Sequence, residues 1–267
     1  MTRIDGKVAV VTGAGNGIGR SIALLMADAG ARVAVSDLLA EDGRRTAQEI
    51  TDRGGSAIFV GTDVSVAHQA QHLIETASSV FGGLDILVNN AGTSGRYARL
   101  HELEPEDFDR VIDVNLRGTF LCTKYAIPHF LAQGGGRIVN IASTYGLIGA
   151  PNSSAYCASK AAIINLTRQL AVDYGRDQIQ VNAICPGYID TNLGRRGSNL
   201  SVREFAEATQ RREAAAAMQP LGRQAQPAEV ASVALFLAGE GASFMTGSIV
   251  TVDGGCTTTF NYGEASN

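Results

Sequence analysis

The sequence predicts an α/β protein built around a doubly wound parallel sheet. Short apolar runs, typical of buried strands, alternate with amphipathic helical patterns along the 267 residues. A glycine-rich turn joins the first strand to the first helix, and a second glycine-bearing turn, Asn89-Asn90-Ala91-Gly92, follows the fourth strand. A doubly wound sheet reverses its strand order at such a turn, which is the usual ligand crevice. Since no linker, repeat or low-complexity segment interrupts the alternation, we expect one domain over residues 1–267.

Each element has its own signal. The run 7–11 is almost entirely apolar, as expected of a strand covered on both faces. A helical pattern over 105–133 is expected to break near Asn115, and the helix over 154–174 begins at a good capping residue, Ser153 or Ser154. The other predicted strands are 32–37, 57–60, 84–88, 137–142, 179–184 and 248–252, and the other predicted helices follow Gly19 or cover 40–53, 66–81 and 227–238.

Composition and charge exclude several classes of function. With 45% hydrophobic residues the chain can bury a core of useful size, and its net charge of −4 argues against a general nucleic-acid or membrane-surface binder. The sequence has no apolar run of about 18 residues and no signal-peptide pattern, so we expect a cytoplasmic protein. The cysteines are far apart, which predicts reduced core residues and neither a disulfide framework nor a metal site: Cys122, Cys157, Cys185 and Cys256.

The turn Thr12-Gly13-Ala14-Gly15-Asn16-Gly17-Ile18-Gly19 lies between the first strand and the first helix. Glycines there let the backbone approach a diphosphate closely, and the free N–H groups at the start of the helix face its negative charge. The alternative is a tight turn that needs glycine only for packing. The strand–turn–helix context favours nucleotide binding.

The second strand ends at Asp37, whose carboxylate could accept hydrogen bonds from both ribose hydroxyls of an adenosine and would repel the extra phosphate of NADP. Neither Asn16 nor Leu38 supplies a basic group for that phosphate. We therefore expect NAD as the cofactor. NADP remains the alternative because three arginines lie nearby in the sequence: Arg20, Arg44 and Arg45. Asp63, after the third strand, either caps the next helix or touches the adenine.

Tyr156 and Lys160 are four residues apart, so both side chains project from one face of the helix over 154–174. An ammonium held beside a phenol favours the phenolate, and we expect it to lower the pKa of the tyrosine from about 10 toward neutral pH. A tyrosine tuned in this way can exchange a proton with an alcohol oxygen. The alternative is a solvated pair on an amphipathic surface.

Together these motifs resemble those of the short-chain dehydrogenase/reductase family, in its shorter-chain branch. The resemblance covers nearly the whole chain and follows the family's order. It implies a Rossmann-type sheet of about seven strands in the order 3-2-1-4-5-6-7, and a homotetramer. The matching residues are Thr12-Gly13-x-x-x-Gly17-x-Gly19, Asp37, Asp63-Val64, Asn89-Asn90-Ala91-Gly92, Asn115, Ser143, Tyr156-x-x-x-Lys160, Pro186-Gly187 with Thr191, and Val252-Asp253-Gly254-Gly255.

The resemblance also implies a catalytic set, Asn115, Ser143, Tyr156 and Lys160. Ser143 would hydrogen-bond the substrate oxygen. Tyr156 would be the general base when an alcohol is oxidised and the general acid when a ketone is reduced. Lys160 would bind the nicotinamide ribose and lower the pKa of Tyr156. Asn115 would hold a water in a proton relay, and the alternative is a polar residue that only kinks its helix.

The cofactor site implied by the resemblance involves both glycine-bearing turns and the end of the sixth strand. Pro186 and Gly187 would pass beside the nicotinamide, Ile189 would lie near its ring and Thr191 near its carboxamide. The full set is Gly13, Asn16, Gly17, Ile18, Gly19, Asp37, Leu38, Asp63, Val64, Asn90, Ala91, Gly92, Tyr156, Lys160, Pro186, Gly187, Ile189 and Thr191.

We therefore expect an NAD-dependent oxidoreductase that interconverts a secondary alcohol and a ketone by hydride transfer. One alternative is an NADPH-dependent 3-oxoacyl-acyl-carrier-protein-type ketoreductase, against which Asp37 argues. The other is a non-catalytic NAD-binding sensor or scaffold, which would have little need for the catalytic set. Besides copies of itself, we expect only a small-molecule substrate as partner, and no nucleic acid or membrane.

Segment 189–220 is expected to cover the substrate, as a long loop with a helical middle often does. The substrate itself would contact Ser143, Tyr156 and Gly187.

Five arginines within this segment, and two that follow the Asn89-Asn90-Ala91-Gly92 turn, suggest the class of substrate. Guanidinium groups suit carboxylates and phosphates, so Arg96, Arg195 and Arg196 are candidates for binding an anionic or polyhydroxylated substrate, such as a sugar or hydroxy acid. The alternative is solvated charges paired with glutamates of the same segment. The residues concerned are Arg96, Arg99, Arg195, Arg196, Arg203, Arg211 and Arg212, with Glu204, Glu207 and Glu213.

Overall fold

The computed structural model describes residues 2–191 and 201–258. It confirms the predicted sheet, in which seven strands run parallel in the order β3-β2-β1-β4-β5-β6-β7. Each strand begins and ends within two residues of its predicted bounds. The strands are β1 (Val8–Thr12), β2 (Arg32–Asp37), β3 (Ser56–Gly61), β4 (Ile86–Asn89), β5 (Gly136–Ile141), β6 (Ile179–Pro186) and β7 (Ile249–Val252).

The helices alternate with the strands as predicted, and α6 and α8 have their predicted bounds. Of the helices in residues 2–191 and 201–258, none has the length and apolar character that crossing a bilayer requires. Two of the candidate substrate-binding arginines, Arg195 and Arg196, lie outside the described residues. The helices are α1 (Gly17–Asp28), α2 (Ala40–Asp52), α3 (Ala67–Phe81), α4 (Pro105–Ile112), α5 (Gly118–Gln133), α6 (Ser154–Tyr174), α7 (Val202–Ala217) and α8 (Pro227–Ala238).

Strand β1 shows why the strands are apolar on both faces. Ala9 and Val11 pack into a core with helices α1 and α8, whereas Val8 and Val10 pack into a second core with α3 and α5. Every residue of β1 is buried. Because helices cover both faces of the parallel sheet, both sets of side chains leave water on folding, which stabilises the fold by roughly 25 cal/mol for each Å² of apolar surface.

The strand order reverses at β1, which pairs with β2 on one side and with β4 on the other. The connections after β1 and β4 therefore lead to opposite faces and leave a crevice between them. The Asn90 amide donates to the carbonyls of Thr12 (2.9 Å) and Gly13 (3.0 Å) across this crevice. The Thr12 hydroxyl in turn accepts hydrogen bonds from the backbone N–H groups of Asn90 and Ala91, each at 3.0 Å. The two glycine-bearing turns are thus joined directly.

The predicted break near Asn115 is confirmed. The helical pattern over 105–133 divides into α4, a π-helical turn over Asp113–Arg117, and α5. Asn115 is fully buried at the centre of this turn. Such turns are rare and are frequent at functional sites.

The predicted N-cap of α6 is confirmed at Ser153, although its side chain makes no capping hydrogen bond. Ser153 occupies the N-cap position, but its hydroxyl donates to the carbonyl of Pro151 at 3.1 Å. The backbone of Ser153 (φ −128°, ψ 34°) departs from the extended conformation that lets an N-cap side chain reach the helix N–H groups. The hydroxyl therefore bonds within the preceding turn.

Gly146 determines how closely the chain after β5 approaches α6. It ends the short helical turn Thr144–Gly146, which follows Ser143. A Cβ at Gly146 would lie 2.7 Å from the backbone carbonyl carbon of Lys160 and 2.8 Å from Ile164 Cδ1. Since the first of these is a backbone atom, it could move only if α6 moved. Glycine at this position therefore keeps Ser143 close to α6.

We expect Gly146→Ala to lower the free energy of unfolding by about 1–3 kcal/mol, the usual cost of overpacking. Urea denaturation measures this change. Gly149→Ala is the matched control, because nothing lies within 4 Å of a Cβ there, and it should change stability by no more than about 0.5 kcal/mol. Equal stability of the two variants would contradict the packing argument.

Candidate active site

A cavity of about 820 Å³ opens at the carboxyl ends of the strands, where the strand order reverses. Its volume is within the range of small-molecule and cofactor sites, roughly 300–1,000 Å³. Ser143 lines it together with every residue predicted to bind the cofactor except Gly19. These residues are Gly13, Asn16, Gly17, Ile18, Asp37, Leu38, Asp63, Val64, Asn90, Ala91, Gly92, Tyr156, Lys160, Pro186, Gly187, Ile189 and Thr191.

The first glycine turn has the geometry of a diphosphate cradle. Gly13 (φ +61°) and Gly17 (φ +55°) both adopt the left-handed backbone conformation that favours glycine. A Cβ at Gly13 would lie 2.8 Å from the Cα of Ala91. Asn16 makes no side-chain cap to α1, and the first turn of α1 carries no acidic residue. The N–H groups at this helix end therefore face the cavity without a competing acid, as an anionic group requires.

Gly19 does not line the cavity, and its role is in packing. A Cβ at Gly19 would collide with the carbonyl of Gly13 and the amide of Asn90. The glycine lets α1 approach the turn, and the direct cofactor contact at Gly19 stays a prediction.

Asp37 is buried at the end of β2, and the backbone fixes its carboxylate. One oxygen accepts the N–H of Gly15 at 2.8 Å, and the other accepts the N–H of Leu39 at 2.9 Å. Each carboxylate oxygen has a further acceptor site. The carboxylate can therefore accept hydrogen bonds from a ligand in the cavity without giving up its backbone contacts.

The three arginines near Asp37 in the sequence have partners of their own. Arg20 forms an ion pair with Glu49, and Arg45 with Asp42. The guanidinium of Arg44 lies 5.6 Å from the centre of the Phe59 ring.

Asp63 lines the cavity and does not cap α3, whose N-cap is Val66. The carboxylate closes a turn by accepting the N–H of Ser65 (3.0 Å) and its hydroxyl (2.6 Å). Of the two predictions for this residue, the helix cap is wrong, because the chain makes one more turn before α3 begins. The adenine contact stays a prediction.

Ser143, Tyr156 and Lys160 meet at one wall of the cavity. Ser143 follows β5, and its hydroxyl oxygen accepts the N–H of Tyr145 at 3.1 Å. Tyr156 and Lys160 lie in the first two turns of α6 and share the predicted face. The Lys160 ammonium is 5.6 Å from the centre of the Tyr156 ring and donates to the carbonyl of Ile141 at 2.8 Å.

Burial dominates the electrostatics of this pair. It raises the pKa of Tyr156 to about 12, although the Ser143 hydroxyl pulls that pKa down. Burial lowers the pKa of Lys160 to about 8. The expectation that Lys160 brings the pKa of Tyr156 toward neutral is therefore wrong for the chain by itself. Desolvation of the phenol is the larger effect, and the ammonium is directed to a backbone carbonyl.

Asn115 lies behind the cavity wall. Its amide oxygen accepts the N–H of Thr93 at 2.8 Å, and its amide nitrogen donates to the Thr93 carbonyl and to the Ser159 hydroxyl, both at 3.0 Å. A Cβ at Gly92 would lie 3.2 Å from the Asn115 amide oxygen and 3.6 Å from the Lys160 ammonium. Asn115 thus ties the loop after β4 to α6 beside Lys160. The bound water stays a prediction.

The arginines considered as substrate ligands differ in whether they reach the cavity. Arg96 does not line the cavity; its side chain is 56% exposed and lies 3.8 Å from Asp107. Arg203 on α7 pairs with Glu207 at 2.9 Å and is 89% exposed. Arg212, also on α7, lines the cavity. Proximity in sequence to a glycine turn therefore does not predict which arginine reaches the site.

One wall of the cavity is not predicted from the sequence. It consists of four polar residues of α4 and the turn that follows: Glu106, Asp109, Arg110 and Asp113. Their spacing places them on one face of a helix, which is a signal in the sequence. The same spacing is typical of any solvated helix face.

The comparisons with known proteins agree with this geometry. Residues 13–257 match a family model described as enoyl-(acyl carrier protein) reductase. The chain is 46% identical to cis-4-hydroxycyclohexanecarboxylate dehydrogenase of Sinomonas cyclohexanicum over 251 residues, which cover 94% of this chain and 96% of that protein.

Two solved structures are also similar. Gluconate 5-dehydrogenase from Burkholderia cenocepacia J2315, in complex with NADP and tartrate, is 34% identical with a TM-score of 0.86, covering 97% of this chain and 98% of that one. A 7α-hydroxysteroid dehydrogenase complexed with NADH and 7-oxo glycochenodeoxycholic acid is 37% identical with a TM-score of 0.85, covering 95% of each chain.

The chain belongs to the short-chain dehydrogenase/reductase family. This confirms the resemblance on which the catalytic and cofactor residues are assigned. The protein is therefore an oxidoreductase acting on CH–OH groups, in a family that uses NAD or NADP.

The lowered pKa of Lys160 makes stability depend on pH. Its pKa is about 8 in the folded chain against an ordinary value of 10.5. Between these pH values the unfolded chain binds more protons than the folded one. The free energy of unfolding should therefore rise as the pH increases from about 8 to about 10.5, by about 3 kcal/mol for a shift of this size.

Lys160→Met removes this titrating group and leaves the other titratable residues of the chain in place. Urea unfolding between pH 7 and 10.5 gives the difference in free energy of unfolding between wild type and variant. That difference should move in favour of the wild type as the pH rises. Parallel pH profiles would mean that the Lys160 pKa is not lowered by folding.

Proposed function

We propose that this protein interconverts a secondary alcohol and a ketone with NAD as its cofactor. The observation that carries the proposal is the single cavity lined by Ser143, Tyr156 and Lys160 together with the glycine turn and Asp37. A protein that only bound a nucleotide would need no more than the last two features. In a hydride-transfer enzyme the cofactor carries the hydride, and the protein binds the cofactor and transfers the proton. Both tasks need residues in one cavity.

Tyr156 transfers the proton, and Ser143 stabilises the substrate oxygen. Once bound, NAD would accept a hydride from the alcohol carbon in oxidation, and NADH would donate one to the ketone carbon in reduction. The Ser143 hydroxyl donates a hydrogen bond to the substrate oxygen and stabilises its developing charge. Tyr156 exchanges a proton with that oxygen. With a pKa of about 12, Tyr156 is protonated at neutral pH, the form that ketone reduction needs, and alcohol oxidation should gain rate as the pH rises.

Lys160 and Asn115 support this chemistry. The Lys160 ammonium has three donors and gives one to Ile141, so two are left for the hydroxyls of the nicotinamide ribose. Asn115, which lies next to Gly92, would hold the water of a proton relay.

The choice of NAD over NADP follows from charge. The fixed carboxylate of Asp37 would accept hydrogen bonds from the adenosine ribose and repel a phosphate on it. The nearby arginines Arg20 and Arg45 have acidic partners, which argues against a phosphate site built from them.

The substrate class is proposed from chemistry shared with a relative. The Sinomonas cyclohexanicum dehydrogenase is named for a secondary alcohol on a ring that also carries a carboxylate. This supports an anionic hydroxy acid as substrate here. Arg96 points to no such role, since it is exposed and lies near Asp107.

The assembly is part of the same proposal. A single catalytic domain that associates as a homotetramer is the arrangement implied by the family, and size-exclusion chromatography with light scattering measures the subunit number. A cytoplasmic location stays a prediction from the sequence.

Tyr156→Phe removes the hydroxyl and keeps the ring. We expect kcat for NAD-dependent oxidation of a cyclic secondary alcohol to fall about 10²–10⁴-fold, the usual contribution of a positioned proton-transfer group. Fluorescence titration should show that the variant still binds NADH, since the glycine turn and Asp37 are unchanged. Tyr125→Phe, where the ring packs against the core of α3 and α5, is the control and should retain kcat. Full activity in both variants would remove the proposed proton transfer.

Asp37→Asn keeps the shape of the side chain and removes its charge. The ratio of kcat/KM with NAD to kcat/KM with NADP should fall about ten- to hundredfold, because a hydrogen bond to a charged group contributes about 1.5–3 kcal/mol. Asp52→Asn, on the exposed end of α2, should leave the ratio unchanged. A wild-type preference for NADP would overturn the assignment of NAD and leave the alcohol chemistry standing.

A further inference from the structure

Arg212, on α7, lines the cavity. It is partly buried and lines the cavity with Ser143 and Tyr156. Its Nη2 donates to the carbonyl of Ile189 at 2.7 Å, and its Nη1 donates to the carbonyl of Thr191 at 3.2 Å. These two bonds fix the guanidinium on the segment after β6. A guanidinium has five N–H donors in one plane, so three donors are left for a ligand.

The positive charge of Arg212 acts on Tyr156. It lowers the pKa of Tyr156, opposing the effect of burial. An arginine stays charged at every pH at which an enzyme works. Among the side chains that the structure describes, which do not include that of Glu204, no carboxylate forms an ion pair with this guanidinium.

We propose that Arg212 binds the carboxylate of the substrate while Ser143 and Tyr156 hold its hydroxyl group. The inference rests on the proposed function and names the residue that selects the substrate class. A carboxylate accepts two parallel hydrogen bonds from one guanidinium, which fixes orientation as well as position. An uncharged alcohol would leave these donors without an acceptor, so the site should discriminate against it.

The diphosphate of the cofactor is the rival anion. A Cβ at Gly17 would lie 3.4 Å from the Thr191 side chain, so the segment that holds Arg212 also approaches the glycine turn. That turn already offers the N–H groups at the start of α1 to a diphosphate. Arg212 lines the same cavity as Ser143 and Tyr156. Since the helix N–H groups already serve the diphosphate, we assign the substrate as the ligand of Arg212.

Arg212→Gln is tested with a matched pair of alcohols, cis-4-hydroxycyclohexanecarboxylate and cyclohexanol, each with NAD. The wild type should prefer the carboxylate, and the ratio of the two kcat/KM values should fall about ten- to hundredfold in the variant. Any change in the pKa of Tyr156 affects both alcohols and cancels in the ratio. Arg203→Gln, on the same helix but exposed and paired with Glu207, should leave the ratio unchanged.

Arg212→Lys separates charge from geometry and guards against a folding defect in the glutamine variant. It should recover part of the preference, because an ammonium attracts a carboxylate without offering a planar fork. A thermal unfolding midpoint within the range of the other variants confirms that each protein is folded.

A binding measurement keeps this proposal distinct from the proposed function. Calorimetric titration of cyclohexanecarboxylate into the NADH-loaded enzyme should show binding that weakens about ten- to hundredfold in Arg212→Gln. If the wild type oxidises neither alcohol and still binds the carboxylate through Arg212, the proposed function fails and the anion site stands. If both alcohols are oxidised and the ratio survives the substitution, the role of Arg212 is refuted. A raised KM for NAD with an unchanged ratio would assign Arg212 to the diphosphate and refute the proposal as well.

Discussion

The active site depends on the hydrogen bond from the Lys160 ammonium to the carbonyl of Ile141. This bond joins α6 to the last residue of β5, two residues before Ser143. A buried cation with one protein acceptor is unfavourable, and the lowered pKa of Lys160 reflects that cost. The surrounding packing must therefore hold the ammonium in place, and Gly146 contributes by letting the chain after β5 lie directly on α6. The proton-transfer groups thus have fixed relative positions before substrate binds.

Polar contacts extend this arrangement to the cofactor side of the cavity. Asn90 bonds the turn after β1 to the turn after β4. Asn115 bonds the loop beyond that second turn to α6 through Thr93 and Ser159. Each link satisfies buried polar groups that would otherwise be costly. The glycine turn, the loop after β4 and α6 therefore form one platform, which is why a cofactor and a proton-transfer group can share a single cavity.

Local patterns predict the features that depend on neighbours in the sequence. The bounds of α6, the break near Asn115 and the position of Asp37 at the end of β2 follow from periodicity and strand ends. Features set by tertiary surroundings are beyond such patterns. The spacing of Tyr156 from its lysine gives the shared helix face but not the desolvation that raises its pKa. Likewise the sequence does not distinguish Arg96 from Arg212 as a cavity residue. Only the folded structure shows that Arg212 lines the cavity.

The π-helical turn over Asp113–Arg117 shifts the phase between two helices that would otherwise share one continuous surface. Each residue of a helix advances about 100° around the axis, and a π turn holds about one residue more than an α turn. The faces of α4 and α5 are therefore offset. Helix α5 buries Leu121 and Ala126 in the core. Helix α4 turns Glu106 and Asp109 to the cavity. One irregular turn thus lets α4 line the cavity while α5, in the same stretch of chain, packs into the hydrophobic core.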